Sequence, residues 1–148
     1  MQVLNTLFGA GMTSKLFMNV REKMSLCYAI GSGYYGSKGI LTVSAGIDFD
    51  KEELTRQEVA RQLEVMQRCD ITDEELTAAK EALLNSLRGT HDTPGAIEGY
   101  YATAALSGMK LTPDTYMEAV RTVTKEQVAA ASRTLQPHTT YFLKGVTR

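Results

Sequence analysis

Apolar positions along this chain recur with two periods, and the switches between them fall at glycine, proline and capping residues. The run at residues 1–8, Met-Gln-Val-Leu-Asn-Thr-Leu-Phe, reads as a first apolar, helical segment that stops at Gly9-Ala10-Gly11. A second helix is expected to begin with Thr13 or Ser14 as N-cap. It would bury Leu16, Phe17, Val20 and Met24 and carry Arg21, Glu22 and Lys23 in its last turn. Period two comes next: residues 27–35 and 39–47 read as strands joined by the Gly36-Ser37-Lys38 turn. In the second of them Leu41, Val43, Ala45 and Ile47 alternate with Ile40, Thr42, Ser44 and Gly46. One face of this antiparallel hairpin is apolar and the other small and polar, which suits a sheet covered by helices on one side only.

Helical spacing then returns. Asp50 with Glu53 signals a helix through about Arg68 that would bury Leu54, Val59, Leu63 and Met66. Thr72-Asp73-Glu74-Glu75 is a clearer capping box, opening a helix to about Gly89 with Leu76, Ala79, Leu83 and Leu87 inward. Thr93-Pro94, Thr112-Pro113 and the pair Thr124/Gln127 start three shorter helices. After Pro137, residues 139–143 (Thr-Thr-Tyr-Phe-Leu) are expected to return to the sheet as a last strand. The predicted fold class is α+β, an antiparallel sheet with helices packed on one face, and residues 1–148 read as one domain.

Charge narrows the partners. Sixteen basic against seventeen acidic residues leave a net charge of −1, with no polybasic segment, so nucleic acid and anionic membrane are poor partners. No run approaches the roughly 18 apolar residues that cross a bilayer. Cys27 and Cys69 show neither CxxC nor zinc-knuckle spacing and read as buried free thiols in a reducing compartment, the cytoplasm.

Most familiar chemistry is missing. Gly9-Ala10-Gly11-Met12-Thr13-Ser14-Lys15 lacks the GK[ST] and the preceding strand of a phosphate loop, and a helix-to-helix corner using glycine's freedom at positive φ explains it. His91 and His138 belong to no HExxH or HxxEH and read as solvated loop residues, although His91 beside Asp92 could serve as a base. No GxSxG is present. One constellation remains, Arg21 at a helix C-terminus and Tyr28 near the start of the next strand. A guanidinium fork holds a carbonyl or carboxylate, and a phenol donates to a developing oxyanion. Against this stands the plainer reading that Arg21 caps its helix dipole and Tyr28 lies on the sheet.

These residues carry a family resemblance. The segments Leu7-Phe8-Gly9-Ala10-Gly11-Met12-Thr13-Ser14-Lys15-Leu16-Phe17, Val20-Arg21-Glu22-Lys23 and Leu26-Cys27-Tyr28 resemble the second, C-terminal homologous domain of the pitrilysin/insulinase-type zinc metallopeptidases, the inverzincins. Gly39-Ile40, Ala45-Gly46, Asp48 and Ile71-Thr72-Asp73-Glu74-Glu75-Leu76 with Lys80 extend the likeness over nearly the whole chain. The resemblance implies half of a clamshell around a peptide chamber. In that family the N-terminal half carries HxxEH and zinc, and the C-terminal half supplies an Arg and a Tyr, here Arg21 and Tyr28.

On that basis the chain is expected to bind peptide and stabilise an oxyanion for a zinc endopeptidase. Zinc and general base would come from an N-terminal homologous domain of the same or a partner chain. With no HxxEH of its own, this chain is expected to bind no cofactor and to be inactive alone. The alternative is a non-catalytic, peptidase-like scaffold or assembly module. Ala10 and Ser25 stand where the family has glycine, and Ser25 is expected to leave its helix left-handed at a cost of about 1 kcal/mol. Family domains begin with strands upstream of Leu4, so Met1 is expected to open a fragment whose sheet lacks strands and which self-associates.

Overall fold

The computed structural model describes residues 1–145. Helix α1, Gln2–Phe8, is buried on most of its circumference, with Val3, Leu4, Leu7 and Phe8 all in the core. Such a helix has little solvent face to satisfy, and its buried Asn5 is the polar exception, accepting from Ser32. Helices α2, Glu52–Gln67, and α3, Asp73–Arg88, pack against it, and α5, Pro113–Thr122, and α6, Lys125–Ser132, close the layer. Helix α4, Pro94–Leu106, lies outside this core and buries only Ala104. The predicted caps form at Thr72, Thr93, Thr112 and Thr124, with reciprocal capping boxes at Thr72/Glu75 and Thr124/Gln127.

Strands β1, Cys27–Tyr35, and β2, Ile40–Ile47, pair antiparallel from Tyr35↔Ile40 to Cys27↔Ile47. Ile30, Leu41 and Val43 pack on the helical core, whereas Thr42 and Ser44 are exposed. The α+β class, with helices on one face of an antiparallel sheet, is the one the alternation predicts. The last strand does not form. Residues 137–145 are irregular, and among the described residues no main-chain hydrogen bond joins them to the hairpin. Tyr141 and Leu143 stay exposed. β propensity alone makes no strand, because the ladder needs a neighbouring edge in register.

Two other local expectations are corrected by tertiary contacts. Asp50 caps nothing: a 3₁₀ turn, Phe49–Lys51, precedes α2, and the Glu53 carboxylate accepts from Arg56 and Gln57 instead. The inward side of α2 is Thr55, Glu58, Gln62 and Met66, while Leu54 points to solvent and Val59 and Leu63 are half-buried. In α3, Leu84 takes the buried place expected of Leu83.

The glycine corner also works differently from expectation. Gly9 has φ −154°, and positive φ among the glycines is confined to Gly39 and Gly108. A Cβ on Gly9 would lie 2.6 Å from Ser32 Oγ and 2.9 Å from Leu16 Cδ1, so close approach is what requires glycine there. The Gly9 carbonyl accepts from the Ser32 N–H at 3.1 Å, and Ser32 Oγ donates to Asn5 Oδ1 at 2.8 Å, fastening α1 to β1.

Beside this corner Lys15 is buried, and its ammonium meets both Glu75 carboxylate oxygens at 2.7 and 2.9 Å. The same carboxylate accepts from the Thr72 N–H at 2.9 Å, so one side chain both caps α3 and neutralises a buried cation.

Candidate functional site

The second helical segment, Leu16–Lys23, is wider than an α-helix, with an i→i+5 bond from the Met24 N–H to the Asn19 carbonyl at 3.1 Å. Ser14 acts at its start as expected, its hydroxyl accepting from the Phe17 N–H at 3.4 Å. Leu16 and Val20 are fully buried, but the wider turn shifts the phase, leaving Phe17 half-buried and Met24 exposed against expectation. The Arg21 guanidinium stacks on the Phe17 ring, 4.6 Å from its centroid, and lies 3.5 Å from Glu22 Oε1.

The segment exits through Ser25 at φ 51°, the left-handed conformation expected of it. The Leu26 N–H returns to the Val20 carbonyl at 3.0 Å across this exit. Relief of the Cβ penalty outweighs the extra backbone entropy of glycine, so Ser25→Gly should stabilise the fold by about 0.5 kcal/mol. A raised thermal midpoint is the check; a lowered one would contradict the strain argument.

Tyr28 comes three residues later, where the strand pairing is irregular. Cys27 opposes Ile47 and Ala29 opposes Gly46, so Tyr28 is the extra residue of a β-bulge. Regular alternation would put Tyr28 on the helix-covered face with Ile30. The bulge re-aims it, and the ring lies over Gly46 on the open face, 74% exposed. A Cβ at Gly46 would fall within 2.6 Å of the ring carbon Cε2 and of the hydroxyl oxygen. Gly46→Ala should therefore expel the ring while costing less than about 1 kcal/mol, because little buried surface is lost. Loss of NMR contacts between the Tyr28 ring and residue 46 would show it; unchanged contacts would refute the packing.

Arg21 and Tyr28 line one open basin of about 490 Å³, together with Glu22, Ser25, Leu26, Cys27, Asp48 and Lys51. Lys51, which sequence reasoning overlooked, donates from Nζ to the Ser25 carbonyl at 3.2 Å and pairs with Asp48 Oδ2 at 3.2 Å. No local motif marks it; its place is set by the turn after β2. Burial pushes the Cys27 thiol up, opposed by the nearby cations Arg21 and Lys51. It stays protonated at neutral pH and is no nucleophile. Both cysteines are free and half-buried rather than fully buried. The basin can donate hydrogen bonds to carbonyl or carboxylate oxygens.

The other candidates are not assembled. His91 lies 3.4 Å from Asp114, and His138 bonds Thr139 at 2.8 Å, both at exposed positions. Among the described residues no three His, Cys, Asp or Glu side chains converge. A cleft of about 180 Å³ between α1, α5 and α6 is lined by aliphatic residues, two glutamines and Tyr116, whose phenol burial pushes up to about 12. Among the described residues no helix is long and apolar enough to cross a membrane.

Comparison with known proteins shows the family. The chain is 34% identical over 145 residues to the "Probable inactive metalloprotease YmfF" of Bacillus subtilis, covering 98% of this chain and 34% of that protein. It is 38% identical over 88 residues to an "Uncharacterized zinc protease" of Rickettsia felis, covering 58% of this chain and 21% of that protein. The chain thus spans about a third or less of the length of these relatives. A crystal structure of a conserved protein from Enterococcus faecalis superposes with a TM-score of 0.82 at 30% identity, over 89% of this chain and 31% of the other. A protease from Helicobacter pylori shares the fold, with a TM-score of 0.77 at 17% identity over 90% of this chain and 33% of that one. Residues 1–83, which carry Arg21, Tyr28, Gly46 and the Lys15–Glu75 pair, match the family described as peptidase M16 inactive domain, and the chain belongs to that family.

Proposed function

We propose that this chain is the substrate-clamping domain of a zinc endopeptidase, acting on peptides through Arg21 and Tyr28. The observation that carries the reading is their convergence on one open basin, where the Leu16–Lys23 segment exits into β1 beside the turn after β2. The Arg21 fork would hold peptide carbonyls, and the Tyr28 hydroxyl would donate to the oxygen on which negative charge develops. The attacking water, its base and the metal belong to a homologous domain facing the basin, in the same or a partner chain. The outer edge of β2, unpaired with any strand among the described residues, would take a second copy of the chain in the absence of that domain.

A second reading has its own support, since a relative aligned over 98% of this chain carries "inactive" in its name. On that reading the basin binds peptide within a non-catalytic scaffold. Peptide affinity and turnover of the full-length protein separate the two. Clamping in an enzyme requires that wild type hydrolyse peptide and that Arg21→Ala and Tyr28→Phe impair it with zinc content intact. Binding without hydrolysis in wild type selects the scaffold. Variants unchanged in both measurements would remove the basin from either role.

A further inference from the structure

Most of the fully buried positions of α2 are polar, while Val59 and Leu63 are only half-buried against the core. Thr55, Glu58 and Gln62 are buried along one helix face. Gln62 Nε2 donates to Glu58 Oε1 at 2.6 Å, and Gln62 Oε1 accepts from Asn19 Nδ2 at 3.0 Å. Asn19 Nδ2 also donates to the Lys15 carbonyl at 3.0 Å, while the Asn19 carbonyl receives the wide-turn bond from Met24. Arg61 holds the far end, donating from Nε and Nη2 to the two Glu58 oxygens at 2.7 and 2.6 Å.

We propose that Gln62 is a positioning residue: through Asn19 it locks the wide turn of the Leu16–Lys23 segment and thereby sets the direction of Arg21. The proposal rests on the reading of Arg21 as a substrate clamp. A side-chain amide occupying the Lys15 carbonyl competes with the regular α-helical ladder and favours the wider turn. Closing that turn by one residue would rotate the C-terminal end of the segment by about 100° around the helix axis, away from the basin. A buried polar relay is costly unless complete, but when complete it selects one arrangement where apolar contacts would tolerate several. Arg21 lies two residues beyond Asn19, so it inherits that choice.

The test uses the full-length protein and a fluorescein-labelled unfolded casein peptide, read by anisotropy. Gln62→Leu keeps volume and removes the relay. It should weaken peptide binding about tenfold, and adding it to Arg21→Ala should produce no further loss. A merely structural role would not make Gln62→Leu silent in the Arg21→Ala background. The paired exchange Gln62→Glu with Glu58→Gln keeps an acceptor facing Asn19 and a donor–acceptor contact between the two side chains. It should restore affinity to within about twofold. If Gln62→Leu fails to fold, Asn19→Ala reads the same coupling from the other side of the bond. Wild-type affinity in Gln62→Leu beside a loss in Arg21→Ala, or losses that add, would overturn the positioning role alone. Wild-type affinity in Arg21→Ala would overturn the clamp itself, and this inference with it.

Discussion

Tyr28→Phe in the full-length protein is expected to lower kcat for peptide hydrolysis by about 10²–10³-fold, the usual consequence of losing one donor to a developing oxyanion. The substitution removes a single oxygen. The ring keeps its place over Gly46, the bulge is a backbone feature, and an exposed hydroxyl contributes little to stability. A loss confined to kcat, with KM and zinc content close to wild type, would identify a transition-state interaction. Arg21→Ala removes more, because the guanidinium also stacks on Phe17, and it should raise KM as well as lower kcat. Arg21→Lys keeps the charge without the fork and should recover only part of the loss. Equal kinetics for Tyr28→Phe and wild type would leave the phenol with no part in the chemistry.

The largest effects on folding should come from removing the Glu75 carboxylate, and Glu75→Gln is expected to destabilise by about 2–3 kcal/mol. That value sits below the range for breaking a buried ion pair because Glu75 is itself 29% exposed. Lys15 is 6% exposed, so a neutral amide opposite it leaves an ammonium with neither water nor a counter-charge. The amide can still accept from the Thr72 N–H, so this variant separates the charge from the cap. Glu75→Ala removes both and should cost about 1 kcal/mol more. Lys15→Met combined with Glu75→Gln should recover most of the loss, since no charge is then stranded. Urea unfolding midpoints measure all four proteins, and a Glu75→Gln midpoint equal to wild type would show that Lys15 finds solvent. Against a typical total stability of about 5–15 kcal/mol, the expected loss is enough to matter in a cell.

The pair also illustrates what a sequence displays and what it hides. Lys15 and Glu75 both stand inside segments that resemble the peptidase family, yet nothing in either segment announces that they touch across 60 positions. The capping boxes at Thr72 and Thr124 were legible because cap, acceptor and helix lie within four residues. The Ser25 exit was legible only through the resemblance, in which glycine stands at that position. Arg21 and Tyr28 could be nominated from their chemistry and resemblance. Their shared basin depends on a bulge and a wide turn, and neither leaves a periodic signature.

What the sequence determined unaided is the set of local decisions. These are the helix starts at Thr72, Thr93, Thr112 and Thr124, the hairpin and its turn, and the α+β class. Each rests on interactions within a few residues, where propensity and spacing act directly. The tertiary structure alone decided which side of α2 turns inward, that residues 139–143 stay unpaired, and that Tyr28 crosses to the open face of the sheet. Those outcomes depend on which distant groups are available as partners. Glu58 and Gln62 are buried where Arg61 and Asn19 complete their hydrogen bonds, and a strand forms only beside an edge that receives it.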